Sequence, residues 1–146
     1  MSLTRKTSPA RQQYRALVTQ ATQDHRRTND LRVMRWTPLT TLEQLDAVDR
    51  ASQEHPVLLF KHSTRCSISS AALGRLERAW TSADDERYDA RYLDLLQYRD
   101  LSNAIAERYG VEHESPQVLV VRNGKCTYHT SHLGISYAGV VEALAP

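Results

Sequence analysis

Cysteine is scarce in this 146-residue chain: only Cys66 and Cys126 occur, sixty positions apart. Two such residues make no disulfide framework. A reducing cytoplasm is the expected setting, where an isolated cysteine is either small buried filler or a reactive group. Long apolar runs are missing too. No stretch approaches the roughly 18 residues of a membrane span, so no membrane association is expected. The opening "MSLTRKTSPARQQYR" has no apolar segment of the kind that drives secretion, and export is not expected.

What is present is ordinary for a globular protein. Apolar residues make up 40% and charged residues 25%, enough for one domain with one core. The net charge of +2 hides an asymmetry, because residues 1–30 carry six basic side chains against two acidic ones. This basic extension, helical or flexible, lacks the aromatic interleaving of single-strand binders, so nucleic acid is not an expected partner. Its apolar cluster of Tyr14, Leu17 and Val18 is too small to drive folding against the entropy of ordering the segment. The division expected is therefore an extension over 1–30, dispensable for chemistry, and one domain over 31–146.

From residue 31 the hydrophobic pattern changes period several times. "LRVMRW" (31–36) is a short strand candidate. Thr40 and Glu43 have the spacing of a capping box, opening a helix over 41–53 with Leu42, Leu45 and Val48 on one face. The residues 57–60 are apolar throughout, and the run 57–61 suits a central strand buried on both faces. A helix follows over 67–80, with Ala72, Leu73, Leu76 and Trp80 on one side. A strand is expected near 88–94, after a turn containing Asp84 and Asp85. "RDLSNAIAERYG" is a helix stopped by Gly110, packing through Leu101, Ala104 and Ile105. "PQVLVVRNGKCTYHTSH" is a hairpin turning at Asn123-Gly124, and a last helix begins after Ser136. A βαβ start and a ββα end imply an α/β fold with a mixed central sheet and helices on both faces. That is the thioredoxin-like order.

Cys66 falls at the junction of the central strand and the following helix, in "KHSTRCSISS". Amides of a first helical turn and the helix dipole stabilise a thiolate there, which makes a cysteine nucleophilic near neutral pH. Lys61, His62 and Arg65 add positive charge. The polar neighbours Ser63, Thr64, Arg65, Ser67 and Ser69 argue against a buried cysteine, although His62 is equally readable as a half-buried strand residue. Ser69 occupies the second-cysteine position of a C-x-x-C pair, so no local disulfide forms and a monothiol mechanism follows. Ser115-Pro116 precedes a strand where thioredoxin folds place a cis-proline beside the active cysteine. Gly134 closes the return strand, at an edge open to a substrate backbone.

Cys126 lies beyond the hairpin turn, at the far end of the sheet, and reads as an incidental strand residue. Simple alternation sends His129 to the opposite face from Cys126 and His132, so no metal site is expected.

"FKHSTRCSIS" and "YLDLLQYRDLSNAIAERYGVEHESPQVLVVRNGKCTYHTSHLGI", with the spacing between them, resemble the monothiol bacilliredoxins, the YtxJ-like proteins of the bacillithiol system. The resemblance runs from about residue 33 to the C-terminus. It implies a thioredoxin-like fold and a cysteine that removes bacillithiol from protein mixed disulfides. S-bacillithiolated proteins are then the partners and bacillithiol the low-molecular-weight co-substrate. Carried over, Cys66 is the nucleophile, Ser69 the serine in the second-cysteine position and Pro116 the adjacent proline. The family commonly has proline directly after the cysteine, where this chain has Ser67. Bacillithiol carries two carboxylates, and Lys61 and Arg65 are the cationic candidates to meet them, with Ser67, Ser69, Ser115, Pro116 and Gly134 completing the binding surface. Phe60 stands six residues before the cysteine, where two-cysteine oxidoreductases often carry a buried acid. A glutathione-dependent, glutaredoxin-like enzyme shares every feature argued from physics alone, and a non-catalytic binding module is the third reading.

Overall fold

The computed structural model of this chain describes residues 34–146; the basic extension and residues 31–33 of the first strand candidate lie outside them. Five strands form one sheet among the described residues: β1 (Thr37–Pro38), β2 (Val57–His62), β3 (Asp89–Asp94), β4 (Gln117–Arg122) and β5 (Lys125–Ser131), in the order β1-β3-β2-β4-β5. β2 runs parallel to β3 and antiparallel to β4, and β4 and β5 form the hairpin. The mixed sheet is as expected. No helix of the described residues is long and apolar enough to cross a membrane.

Strand alternation on the buried β2 divides the core in two. Leu58 and Phe60 face one side, with Ala72 and Leu76 of α2 (Ser67–Ala79), its C-cap residue Trp80, and Val140 and Leu144 of α5 (Tyr137–Leu144). Val57 and Leu59 face the other, with Leu45 and Val48 of α1 (Leu42–Ala51) and Leu101 and Ile105 of α4 (Arg99–Tyr109). Every residue of β2 is buried; the apolar residues 57–60 predict this for a strand covered on both faces, and Lys61 and His62 are buried with them. Gly110 ends α4 at φ 65°, the left-handed region that glycine enters without steric cost. Asn123 and Gly124, at φ 50° and 72°, build the hairpin turn.

Four local expectations are corrected. Residues 34–36 are not strand; pairing begins at Thr37–Pro38, an edge position where a proline without an N–H is tolerated. The capping box of α1 is Thr41 with Gln44, because the Gln44 amide oxygen accepts from the Thr40 and Thr41 amides at 2.6 and 3.2 Å. Leu42, the first residue of the helix, is 57% exposed and does not join the buried Leu45 and Val48. The segment with Asp84 and Asp85 is a short helix, α3 (Ser82–Arg87), capped reciprocally by Thr81 and Asp84. Asp85 there accepts from the Trp80 indole at 2.9 Å.

The fourth correction concerns β5. Val120 pairs with Tyr128 and Val121 with Cys126, so Thr127 is an extra residue in a bulge. The bulge breaks the alternation. Cys126 opposite Val121 and His129 opposite Leu119 therefore share a face, contrary to the simple two-residue period. Even so, no group of three His, Cys, Asp or Glu side chains suited to a metal occurs among the described residues.

Candidate functional site

Cys66 is the N-cap residue of α2, in extended backbone at φ −106° and ψ 120°, and it is half-buried. Its amide donates to Ser63 O at 3.1 Å and its carbonyl accepts from Ser70 N at 3.0 Å. The backbone of residues 63–66 is thus a closed turn that hands the chain from β2 to α2, with the thiol at the end where the helix amides are unpaired. Arg65 within this turn is exposed, as are Ser67 and Ile68 in the first turn of the helix.

The β2–β4 register places the proline at the same end. Gln117 pairs with Lys61, so Pro116 lies level with the exit of β2. The Ser115-Pro116 bond is cis. The Pro116 carbonyl accepts from His132 N at 3.0 Å, which ties it to the turn after β5. That single 3-10 turn (His132–Gly134) packs against α2. Cys66, Ser67, Pro116 and Gly134 are therefore gathered at one end of the sheet. Ser115 Oγ is buried with no hydrogen-bond partner.

Two expected site residues are placed elsewhere. Lys61 is completely buried on the opposite face, where Nζ donates to Ser102 O at 3.1 Å and lies 3.4 Å from His113 Nδ1. Burial pulls its ammonium down to about 8. It is neither a solvated charge nor a contact for a ligand on the Cys66 side. Strand alternation is the reason: 57, 59 and 61 all point toward α4. Ser69 is fully buried, and its hydroxyl is used internally, as described below. Phe60 packs edge-on against Trp36, centroids 5.7 Å apart, and holds no acid's place.

His62 is the site residue that the sequence left undecided. It continues the 58, 60, 62 series under α2 and is 5% exposed. Its Nδ1 lies 2.6 Å from Ser69 Oγ, which also accepts from Ser63 N at 3.1 Å. Burial lowers the imidazole below its ordinary value, against the opposing pull of Asp94 and Glu77. A polar side chain in an otherwise apolar, inward-facing series must find a partner, and that requirement was the available signal.

Cys126 is half-buried, with Sγ 3.2 Å from Tyr128 O, and burial pushes its thiol up. Such a thiol is a poor nucleophile at neutral pH. At Gly134 an added Cβ would overlap Thr130 Oγ1. We expect Gly134→Ala to cost about 1–3 kcal/mol, as overpacking usually does, read as a lower urea midpoint. An unchanged midpoint would mean that Thr130 simply rotates aside.

A family model described as monothiol bacilliredoxin BrxC matches residues 37–140. Among solved structures, a candidate oxidoreductase with a thioredoxin fold is 31% identical over 73% of this chain and 90% of its own, with a TM-score of 0.61. Thioredoxin f from spinach chloroplast is 16% identical over 77% of this chain and 93% of its own, with a TM-score of 0.57. A thioredoxin from Malassezia sympodialis is 11% identical over 77% and 91%, with a TM-score of 0.59. At those identities the two thioredoxins show the shared fold alone.

Proposed function

The chain belongs to the monothiol bacilliredoxin family, and from that premise we propose that it removes bacillithiol from protein mixed disulfides, with Cys66 as the sole nucleophile. The observation that supports this best is the single half-buried thiol at the start of α2, level with a cis-proline and followed three residues later by a buried serine. In the first step the Cys66 thiolate attacks the bacillithiol sulfur. A Cys66–bacillithiol disulfide forms, the original disulfide breaks, and the protein leaves as its thiolate. A second bacillithiol, as thiolate, then attacks the bound bacillithiol sulfur and departs as oxidised bacillithiol, restoring the Cys66 thiolate. No second thiol of the enzyme is needed. The reaction suits a reducing cytoplasm.

Arg65 is the exposed cation of the turn, and with the exposed Ser67 and Gly134, beside the partly buried Ser115 and the buried Pro116, it makes up the proposed binding surface. Ile68 and Leu133, 53% and 86% exposed, supply apolar contact for a protein partner. Exposed charges steer anionic ligands in a salt-dependent way. Arg65→Glu should slow transfer of the dicarboxylate bacillithiol roughly three- to tenfold while leaving alkylation of Cys66 by neutral iodoacetamide unchanged. Equal slowing of both reactions would mean that Arg65 acts on the thiolate instead.

Intact mass after incubation with oxidised bacillithiol and, separately, with oxidised glutathione tests the whole reading. One bacillithiol adduct on Cys66, formed faster than the glutathione adduct, is the expected result. Faster glutathionylation would make the enzyme glutaredoxin-like. No adduct with either would favour a binding module.

A further inference from the structure

We infer that His62 is a positioning residue for the Cys66 chemistry, acting as the acceptor of a buried hydroxyl that locks the turn presenting the thiol. The chain of contacts is short and continuous. His62 Nδ1 lies 2.6 Å from Ser69 Oγ, Ser69 Oγ accepts from Ser63 N at 3.1 Å, and Ser63 O accepts from Cys66 N at 3.1 Å. Ser63 is thus held at both backbone groups, one by the helix that Cys66 opens and one by Cys66 itself. Ser69 is 0% exposed and His62 5%, so water does not compete for these bonds.

The donor directions follow from counting hydrogens. A serine hydroxyl has one hydrogen and two lone pairs. Ser63 N–H occupies one lone pair. Among the described residues His62 Nδ1 is the one other polar atom in hydrogen-bond contact with Ser69 Oγ. The Ser69 hydrogen therefore goes to Nδ1, and the imidazole is neutral with its proton on Nε2. A ring protonated at Nδ1 would leave the serine hydrogen buried without an acceptor, which is costly. Desolvation favours the neutral ring in the same direction.

The arrangement gives the serine in the second-cysteine position a task of its own. It does not merely lack a thiol. Its hydroxyl ties the first turn of α2 to the end of β2, and its hydrogen is directed to His62 and away from the Cys66 sulfur. The inference rests on Cys66 being the reacting thiol and is independent of which small thiol the enzyme uses.

The test measures the rate of Cys66 alkylation by iodoacetamide, with melting temperature, in a Cys126→Ser background so that one thiol reports. Ser69→Ala and His62→Leu should each slow alkylation roughly three- to tenfold, the size of one hydrogen bond's net contribution. The double variant should be no slower than Ser69→Ala alone, since that change already removes the His62 contact together with the Ser63 one. His62→Asn keeps an acceptor close to the Nδ1 position and should stay within about twofold of the parent. Full alkylation rates in both single variants, strictly multiplicative losses, no rescue by asparagine, or lower melting temperatures with unchanged rates would each overturn the inference. Because iodoacetamide carries no bacillithiol, a failure of the bacillithiol reading would leave these rates as they are and would appear only as a missing adduct mass.

Discussion

Cys66→Ser should reduce release of bacillithiol from a modified protein to background, while Cys126→Ser keeps most of the rate. The loss is expected to be on the order of 10³-fold or more, as when other enzymes lose their nucleophile. A serine hydroxyl at the same N-cap position is not ionised at neutral pH and cannot form the intermediate disulfide. Cys126 has no comparable place. It sits in β5 opposite Val121, at the hairpin end of the sheet, and its half-buried thiol is pushed up by desolvation. The check is a discontinuous assay of bacillithiol released from a reporter protein, with intact mass to detect the Cys66 adduct. A Cys126→Ser variant that accumulates the adduct and fails to turn over would make Cys126 a resolving thiol and defeat the monothiol mechanism.

Lys61→Met should stabilise the protein at pH 7 by about 2–3 kcal/mol without altering transfer. Lys61 is completely buried, with Ser102 O 3.1 Å and His113 Nδ1 3.4 Å from its Nζ. Burial brings the ammonium down to about 8, whereas in the unfolded chain it keeps its proton to roughly 10.4. Below pH 8 both states are charged, and the folded state carries the whole penalty of burying that charge. Between about 8 and 10.4 the unfolded state binds the extra proton, so the stability of the natural chain rises with pH. Methionine carries no such penalty at any pH, and the Ser102 carbonyl lies within a helix where it is already paired. Urea unfolding of both proteins at pH 7 and at about pH 10 decides the matter. The variant's advantage should shrink to a small residue at the higher value. A constant difference, or a methionine variant less stable at pH 7, would show that the Ser102 and His113 contacts outweigh desolvation. Transfer is expected to be unchanged because Nζ points toward α4, on the face opposite α2 and Cys66.

Much of this protein was legible in one dimension, and for identifiable reasons. The apolar run at 57–60 is too short for a typical helix and suits a strand covered on both faces. Gly110, Asn123-Gly124 and Ser136 each carry backbone preferences that mark where an element stops, turns or starts. The position of Cys66 between the strand and α2, with Ser69 three residues on, is also a purely local fact. It was enough to point to a monothiol nucleophile.

Other features are decided by partners distant along the chain. Two overlapping capping boxes are written at Thr40–Glu43 and Thr41–Gln44, and the structure selects the second because Gln44 reaches the Thr40 and Thr41 amides together. The α3 helix was missed because "TSADDE" reads both as a turn and as a capped helix start; Trp80 and Tyr137, bonded to Asp85 and Asp84, accompany the helical form. Alternation alone says that Lys61 and His62 face opposite sides of β2. It does not say that one side offers a carbonyl on α4 and the other a serine hydroxyl on α2. Thus local periodicity and turn chemistry determined the mixed sheet, the longer helices and the place of Cys66 at a strand–helix junction. Only tertiary packing decided that Lys61 is buried away from the thiol, that a bulge brings Cys126 and His129 to one face, and that His62 and Ser69 close on each other. Those outcomes depend on which buried polar atoms come within about 3 Å, and sequence spacing does not specify that distance.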